Sequence, residues 1–131
     1  MFWDELKYDD KGLVCGVFQD AATGEVLTLA WMNRESVQKT WETKRVWLFR
    51  RSHGRVMMKG EQSGNVQIVK EMILDCDRDA LVIKIEQVGG AACHKGYRSC
   101  FFEHVEEDGT IRVEGEPLFD PAQVYGDKAK A

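Results

Sequence analysis

Short apolar segments separated by turn residues run along most of this chain, and they constrain its fold more than any other feature. Many are rich in β-branched residues, and the segment 81–88 alternates, with Leu81, Ile83 and Ile85 on one face. Such alternation is typical of half-buried strands. The predicted strands are 12–19, 25–32, 46–49, 55–58, 66–74, 81–88, 101–105 and 110–113.

One segment has the spacing of a helix instead. Asn33 is a suitable N-cap for a helix over residues 34–43, Val37 and Trp41 are one helical turn apart, and Lys44 follows at the end where a positive charge is favourable. A β-rich chain with one clear helix is predicted to form an α+β domain.

The length of 131 residues and the hydrophobic content of 44% fit one compact domain over 1–131, with a loosely attached tail at 115–131. Lys and Arg number 18 against 22 Asp and Glu, without a basic block, so nucleic acid is a poor candidate partner. The first residues do not resemble a signal peptide, and no apolar run approaches the length of a membrane span. We therefore expect a cytoplasmic protein.

Metal-capable side chains are concentrated between residues 75 and 100. Asp75, Asp77 and Asp79 alternate with Cys76 and Arg78. If this segment is extended, the three carboxylates lie on one face and the thiol on the other. Carboxylates suit magnesium or calcium and thiolates suit zinc, so two sites of different character are predicted.

Two other interpretations of the acidic segment stay open. It could be an acidic turn in water. It also begins like a calcium-binding loop, with Glu86 at position 12 of that loop, although Ala80 stands where the sharp turn requires glycine. The strand character of the segment 81–88 argues against a calcium hand.

Cys93 and Cys100 lie seven residues apart, after Cys76. Three thiolates would leave one zinc position open to water, which is the arrangement of catalytic zinc. His94 is then placed to accept or deliver a proton, unless it is a structural histidine. Cys15 lies in an apolar strand and is expected to be a small buried hydrophobe.

Several motifs in order over residues 7–102 together resemble the phosphoribosyl-AMP cyclohydrolase family of histidine biosynthesis. They are Gln19-Asp20, Thr23 to Leu27, Ala30 to Asn33, Lys59-Gly60-Glu61, Ser63-Gly64-Asn65, Asp75 to Asp79, Val82 to Gln87, Cys93-His94 and Ser99-Cys100-Phe101.

The resemblance implies a homodimeric hydrolase that uses zinc and magnesium to open the adenine ring of phosphoribosyl-AMP at the N1–C6 bond. A zinc-bound hydroxide would attack C6, which is the step that zinc deaminases perform, and His94 would accept or deliver the proton. The implied zinc ligands are Cys76 from one subunit with Cys93 and Cys100 from the other. The implied magnesium ligands are Asp75, Asp77 and Asp79. The implied contacts of the substrate phosphates are Arg51, Lys59, Ser63, Gly64 and Asn65.

Three alternatives remain. A diverged member of the family would act on another amidine-containing purine nucleotide, with the same metals and a changed region around Arg50 to His53. A non-catalytic zinc or calcium module would have a closed coordination shell, with Cys15 as a fourth ligand. A redox dithiol protein would use Cys93 and Cys100, although their spacing does not match a redox motif.

Overall fold

The computed structural model describes residues 1–120 and residue 122. Strands predominate beside the α-helix α1 (Arg34–Thr43), which confirms the α+β class. Each predicted strand has a counterpart. The strands are β1 (Val14–Asp20), β2 (Val26–Met32), β3 (Trp47–Arg50), β4 (Arg55–Met58), β5 (Gln67–Leu74), β6 (Ala80–Gln87), β7 (Glu103–Val105) and β8 (Ile111–Val113).

The main sheet has four strands in the order β2-β1-β6-β5. β1 pairs antiparallel with β2 and parallel with β6, and β5 and β6 form an antiparallel hairpin. The predicted alternation of β6 is confirmed, because Leu81, Ile83 and Ile85 are all buried in the core. One face of the sheet thus carries the core, and its two outer strands are β2 and β5.

The helix begins as its sequence predicts. Asn33 accepts a hydrogen bond from the amide of Ser36, and the Ser36 hydroxyl in turn accepts one from the amide of Asn33. Val37 is fully buried, but Trp41 is 37% exposed and packs edge-on against Phe2. The expected pair therefore does not form one buried stripe, because Trp41 lies at the margin of the core.

Two small hairpins flank the main sheet. β3 and β4 pair in register from Trp47 with Met58 to Arg50 with Arg55. At the end of β4 the amide of Lys59 donates a hydrogen bond to the carbonyl of Val46, and the amide of Val46 donates to the carbonyl of Gln67 on β5. β7 and β8 form a separate exposed ribbon.

The predicted tail at 115–131 lies only partly within the described residues, because residue 121 and residues 123–131 fall outside them. In the described part, the amide of Leu118 donates a hydrogen bond to the carbonyl of Gly96 at 2.7 Å. No helix in the described ranges is both long and apolar enough to cross a membrane.

Candidate active site

Cys93 and Cys100 are brought together by a tight loop that follows β6. The amide of Cys93 donates to the carbonyl of Tyr97 at 3.1 Å, and the amide of Gly96 donates to the carbonyl of Cys93 at 2.9 Å. Gly96 has a φ of +92°, and a Cβ there would overlap the carbonyl of Phe119. The loop then joins the main sheet, since the amide of Cys100 donates to the carbonyl of Leu27 on β2 at 2.7 Å.

The thiols of Cys93 and Cys100 lie close enough to shift each other's pKa. The hydrogen bond from Cys100 lowers the pKa of Cys93 to about 6, against the effect of burial, and the amide of Lys95, 3.4 Å from the Cys93 sulfur, lowers it further. The same hydrogen bond raises the pKa of Cys100, as does its burial. The Cys100 sulfur also lies within hydrogen-bonding distance of the Thr28 hydroxyl, at 3.3 Å. Near neutral pH the pair therefore holds one proton and one thiolate, which is the nucleophilic and metal-binding form of cysteine.

A cavity of about 450 Å³ opens beside Cys100. Its wall combines apolar residues with the thiol, an imidazole and two cationic side chains. The lining residues are Thr28, Leu29, Ala30, Leu48, Arg50, Lys59, His94, Cys100 and Phe101. His94 and Phe101 are exposed, so they form the outer part of this wall.

Lys59 is a partly buried cation in this wall. Its ammonium group donates a hydrogen bond to the carbonyl of Ala92 at 2.6 Å, next to Cys93 in the chain. Burial lowers the pKa of Lys59, and the positive charge of Arg50 lowers it further. Two cations, Arg50 and Lys59, thus line the cavity together with the Cys100 thiol, a setting that suits an anionic ligand.

Arg50 was missed by the sequence analysis, which selected Arg51. Alternation along β3 places residues 48 and 50 on one side of the strand, and both Leu48 and Arg50 line the cavity. Arg51 is exposed at the hairpin tip, with its guanidinium carbon 5.1 Å from the ring centroid of Trp31. Strand parity counted from the buried Leu48 was the signal that could have identified Arg50.

The predicted phosphate-binding loop lies beyond the end of β4 and does not line the cavity. The amide of Gly64 donates to the carbonyl of Gly60, and the amide of Asn65 donates to the hydroxyl of Ser63. A Cβ on Gly60, whose φ is +85°, would overlap the backbone of Asn65. The loop is therefore built on its own hydrogen bonds and on this close backbone approach.

The acidic segment is a turn between β5 and β6, so the extended arrangement considered for it is wrong. Asp75 accepts hydrogen bonds from the amides of Asp79 and Ala80, and Arg78 has a left-handed φ of 62°. Strand alternation does not apply to such a turn. Because β6 begins at Ala80, a strand follows the turn, which rules out the calcium hand.

The turn nevertheless brings the three carboxylates together. The carboxylate oxygens of Asp75, Asp77 and Asp79 lie within 4.8 Å of one another, and all three residues are exposed. Hydrogen bonds shared with Asp75 and then Asp77 raise the pKa of Asp79. A shared proton relieves the repulsion between the carboxylates, and a bound divalent cation would relieve it in the same way.

Cys76 lies on the same acidic turn, exposed and away from the thiol pair. Across residues 1–120 and 122, the three aspartates are the only group of at least three His, Cys, Asp or Glu side chains close enough to share an ion. Cys15 lies within β1, paired with Trp31 and Ala80, and is not part of such a group either. One chain therefore assembles two of the three predicted zinc ligands.

The fold and this site define a class: a small α+β protein with a soft thiol pair on a cationic cavity and a separate hard carboxylate cluster. A sequence model of the phosphoribosyl-AMP cyclohydrolase family matches residues 28–102, which include both ligand sets. The chain belongs to this family, as its motifs predicted.

Full-length relatives agree. The phosphoribosyl-AMP cyclohydrolase of Pelotomaculum thermopropionicum is 55% identical over 94% of this chain and 95% of its own. That of Desulfotalea psychrophila is 52% identical, over 95% of this chain and 98% of its own, and that of Methanococcoides burtonii is 51% identical, over 93% and 97%. By their names these relatives are hydrolases that open a ring, so the family is one of enzymes.

Proposed function

We propose that this protein is a homodimeric, cytoplasmic phosphoribosyl-AMP cyclohydrolase of histidine biosynthesis, which hydrolyses the N1–C6 bond of the adenine ring with the help of zinc and magnesium. The observation that carries the proposal is the Cys93–Cys100 thiol pair, of which Cys100 lines a cationic cavity, inside the segment that matches the family. Thiolate ligands stay available in a reducing compartment, which supports the cytoplasmic location.

Zinc fits the donors that are present. Cys93 and Cys100 lie close enough to interact, and the pKa of about 6 at Cys93 makes a thiolate available at neutral pH without a large cost. The third proposed ligand is the partner's Cys76, which is supported by the exposure of Cys76 and by its separation from the pair within one chain. When bound in an open site, zinc lowers the pKa of a water ligand to about 7.

Magnesium fits the second set. Asp75, Asp77 and Asp79 offer hard oxygen ligands within 4.8 Å of one another at an exposed turn. Their role in the proposal is to hold this ion.

The remaining side chains of the cavity would bind the nucleotide and move its proton. His94 stands at the exposed side of the cavity and is the proposed acid and base, which would protonate the departing ring nitrogen N1. The substrate phosphates are proposed to contact Arg51, Lys59, Ser63, Gly64 and Asn65. Arg50 joins this set because it lines the cavity beside Lys59.

The test is an assay of ring opening, followed by ultraviolet absorbance, on purified protein loaded with zinc and magnesium. Cys93→Ala should lose both bound zinc and activity. Cys15→Ala is the matched control, because this thiol lies in β1 apart from the pair, and it should keep both. A folded, zinc-loaded dimer that leaves phosphoribosyl-AMP unchanged would refute the proposed activity, and turnover of another amidine-containing purine nucleotide would favour a diverged enzyme.

A further inference from the structure

Lys59 is connected to the thiol pair more directly than a residue that only binds phosphate needs to be. Its ammonium group donates a hydrogen bond to the carbonyl of Ala92 at 2.6 Å, and Ala92 directly precedes Cys93 in the chain. Ala91, Ala92 and Cys93 are all at most 4% exposed. A buried carbonyl needs a donor, and in the described part of the chain Lys59 supplies it.

Hydrogen bonds hold both the backbone amide and the ammonium group of Lys59. The amide donates to the carbonyl of Val46 at 2.8 Å. Val46 is fully buried, and its own amide donates to the carbonyl of Gln67 on β5. The side chain thus spans from the core end of β4 to the loop that carries Cys93. A cation held at both ends is suited to position a neighbouring group.

The charge of Lys59 also matches the proposed metal site. Three thiolates carry more negative charge than one zinc ion neutralises, so a zinc site of this composition is anionic. A fixed ammonium group beside it offsets that charge. Lys59 is close enough to both Cys93 and Cys100 to interact electrostatically with them.

We infer that Lys59 is a positioning residue for the zinc ligands, which holds the Cys93 segment through the carbonyl of Ala92 and balances the charge of the thiolates. This inference rests on the proposed function, because it presupposes zinc at Cys93 and Cys100. It gives Lys59 a role at the metal in addition to the proposed contact with the substrate phosphates. Partners that orient metal ligands in this way typically change metal affinity when they are removed.

The experiment measures zinc affinity by chelator competition, together with KM and kcat, for the full-length protein. Lys59→Met removes both the donor and the charge, and zinc binding should weaken by about 10-fold or more. Lys59→Gln keeps a neutral donor, and Lys59→Arg keeps the charge, so both should retain part of the affinity. Arg50→Met is the matched control. It removes a positive charge from the same cavity but leaves the bond to Ala92, so it should raise KM with a smaller effect on zinc.

The outcomes separate the two claims. If the wild-type protein binds no zinc at Cys93 and Cys100, the proposed function itself fails. If wild type binds zinc but a folded Lys59→Met binds it within about twofold of wild type and shows only a raised KM, Lys59 is a phosphate ligand and the inference is wrong. Should Lys59→Met not fold, as judged by its thermal transition, the same comparison is made with Lys59→Gln, and unchanged zinc affinity there also overturns the inference.

Discussion

Subunit mixing tests whether Cys76 completes the proposed zinc site of the other chain in the proposed homodimer. In one chain, Thr28 of β2 touches the Cys100 thiol, and the turn with Cys76 precedes Ala80 of β6. The register places Ala80 level with Trp31, three residues from Thr28, and β1 lies between β2 and β6. At about 3.3 Å per residue and 4.8 Å per strand, the Cα atoms of Thr28 and Ala80 are about 14 Å apart. Two thiolate sulfurs on one zinc ion lie about 4 Å apart. We therefore expect Cys76 to reach the thiol pair of the other chain and not that of its own.

The perturbation is a pair of variants, Cys76→Ala and Cys93→Ala, each of which should be inactive alone. Co-expression with two different affinity tags allows the heterodimer to be isolated. One of its two sites then has Cys93 and Cys100 from one subunit and Cys76 from the other, so the heterodimer should recover about half of the wild-type activity and one zinc ion per dimer.

The matched control is the heterodimer of Cys93→Ala with Cys100→Ala. Both changes lie on the same loop, so each site lacks one thiol of the pair and the heterodimer should stay inactive. The reasoning is refuted if the Cys76→Ala and Cys93→Ala heterodimer forms but recovers neither zinc nor activity. Full zinc content in Cys76→Ala alone would equally remove Cys76 from the ligand set.

Two further predictions concern the thiol pair and the loop after β4. In the metal-free protein, alkylation of Cys93, followed by peptide mass spectrometry, should fall as the pH drops through about 6, because the thiolate exists above its pKa. In Cys100→Ala the hydrogen bond is lost while burial still opposes ionisation, so the pKa of Cys93 rises; a rise of one unit lowers the rate at pH 6 about fivefold, and an unchanged profile would contradict this. Gly60→Ala should cost about 2 kcal/mol or more in denaturant unfolding, since its φ is +85° and its Cβ meets the backbone of Asn65. Gly64→Ala, with a φ of +81° and open space around the Cβ, should cost less, and equal losses would show that the overlap is unimportant.

Local sequence signals predicted the elements of this fold well because each one acts over a few residues. The alternation of Leu81, Ile83 and Ile85 identified the buried face of β6, and Asn33 identified the start of the helix. The parallel pairing of β1 with β6 had no such signal. It joins residues 65 positions apart in the sequence, such as Cys15 and Ala80, and only the packing of the whole core selects it.

The chemistry of the residue types was enough to select candidate site residues. It was not enough to predict side-chain positions that depend on the local backbone conformation. The thiols of Cys93 and Cys100, selected from residue chemistry alone, lie close enough to shift each other's pKa, and their role as zinc ligands stays a prediction. The extended arrangement considered for the acidic segment is wrong, because Asp75 accepts hydrogen bonds from the amides of Asp79 and Ala80 and so closes a turn. The choice between Arg50 and Arg51 depended on the parity of β3, which is certain only once Leu48 is known to be buried.

The acidic turn links the two proposed metal sites. Cys76 lies between Asp75 and Asp77 in the chain, and consecutive Cα atoms are about 3.8 Å apart. Any dimer that brings the partner's Cys76 to the pair of Cys93 and Cys100 must therefore bring the neighbouring carboxylates to the same cavity. Soft and hard ligands that lie apart within one chain would then act on a single substrate, and loss of the dimer would separate them. The turn between β5 and β6 is thus the element through which the proposed dimer would join the two metals.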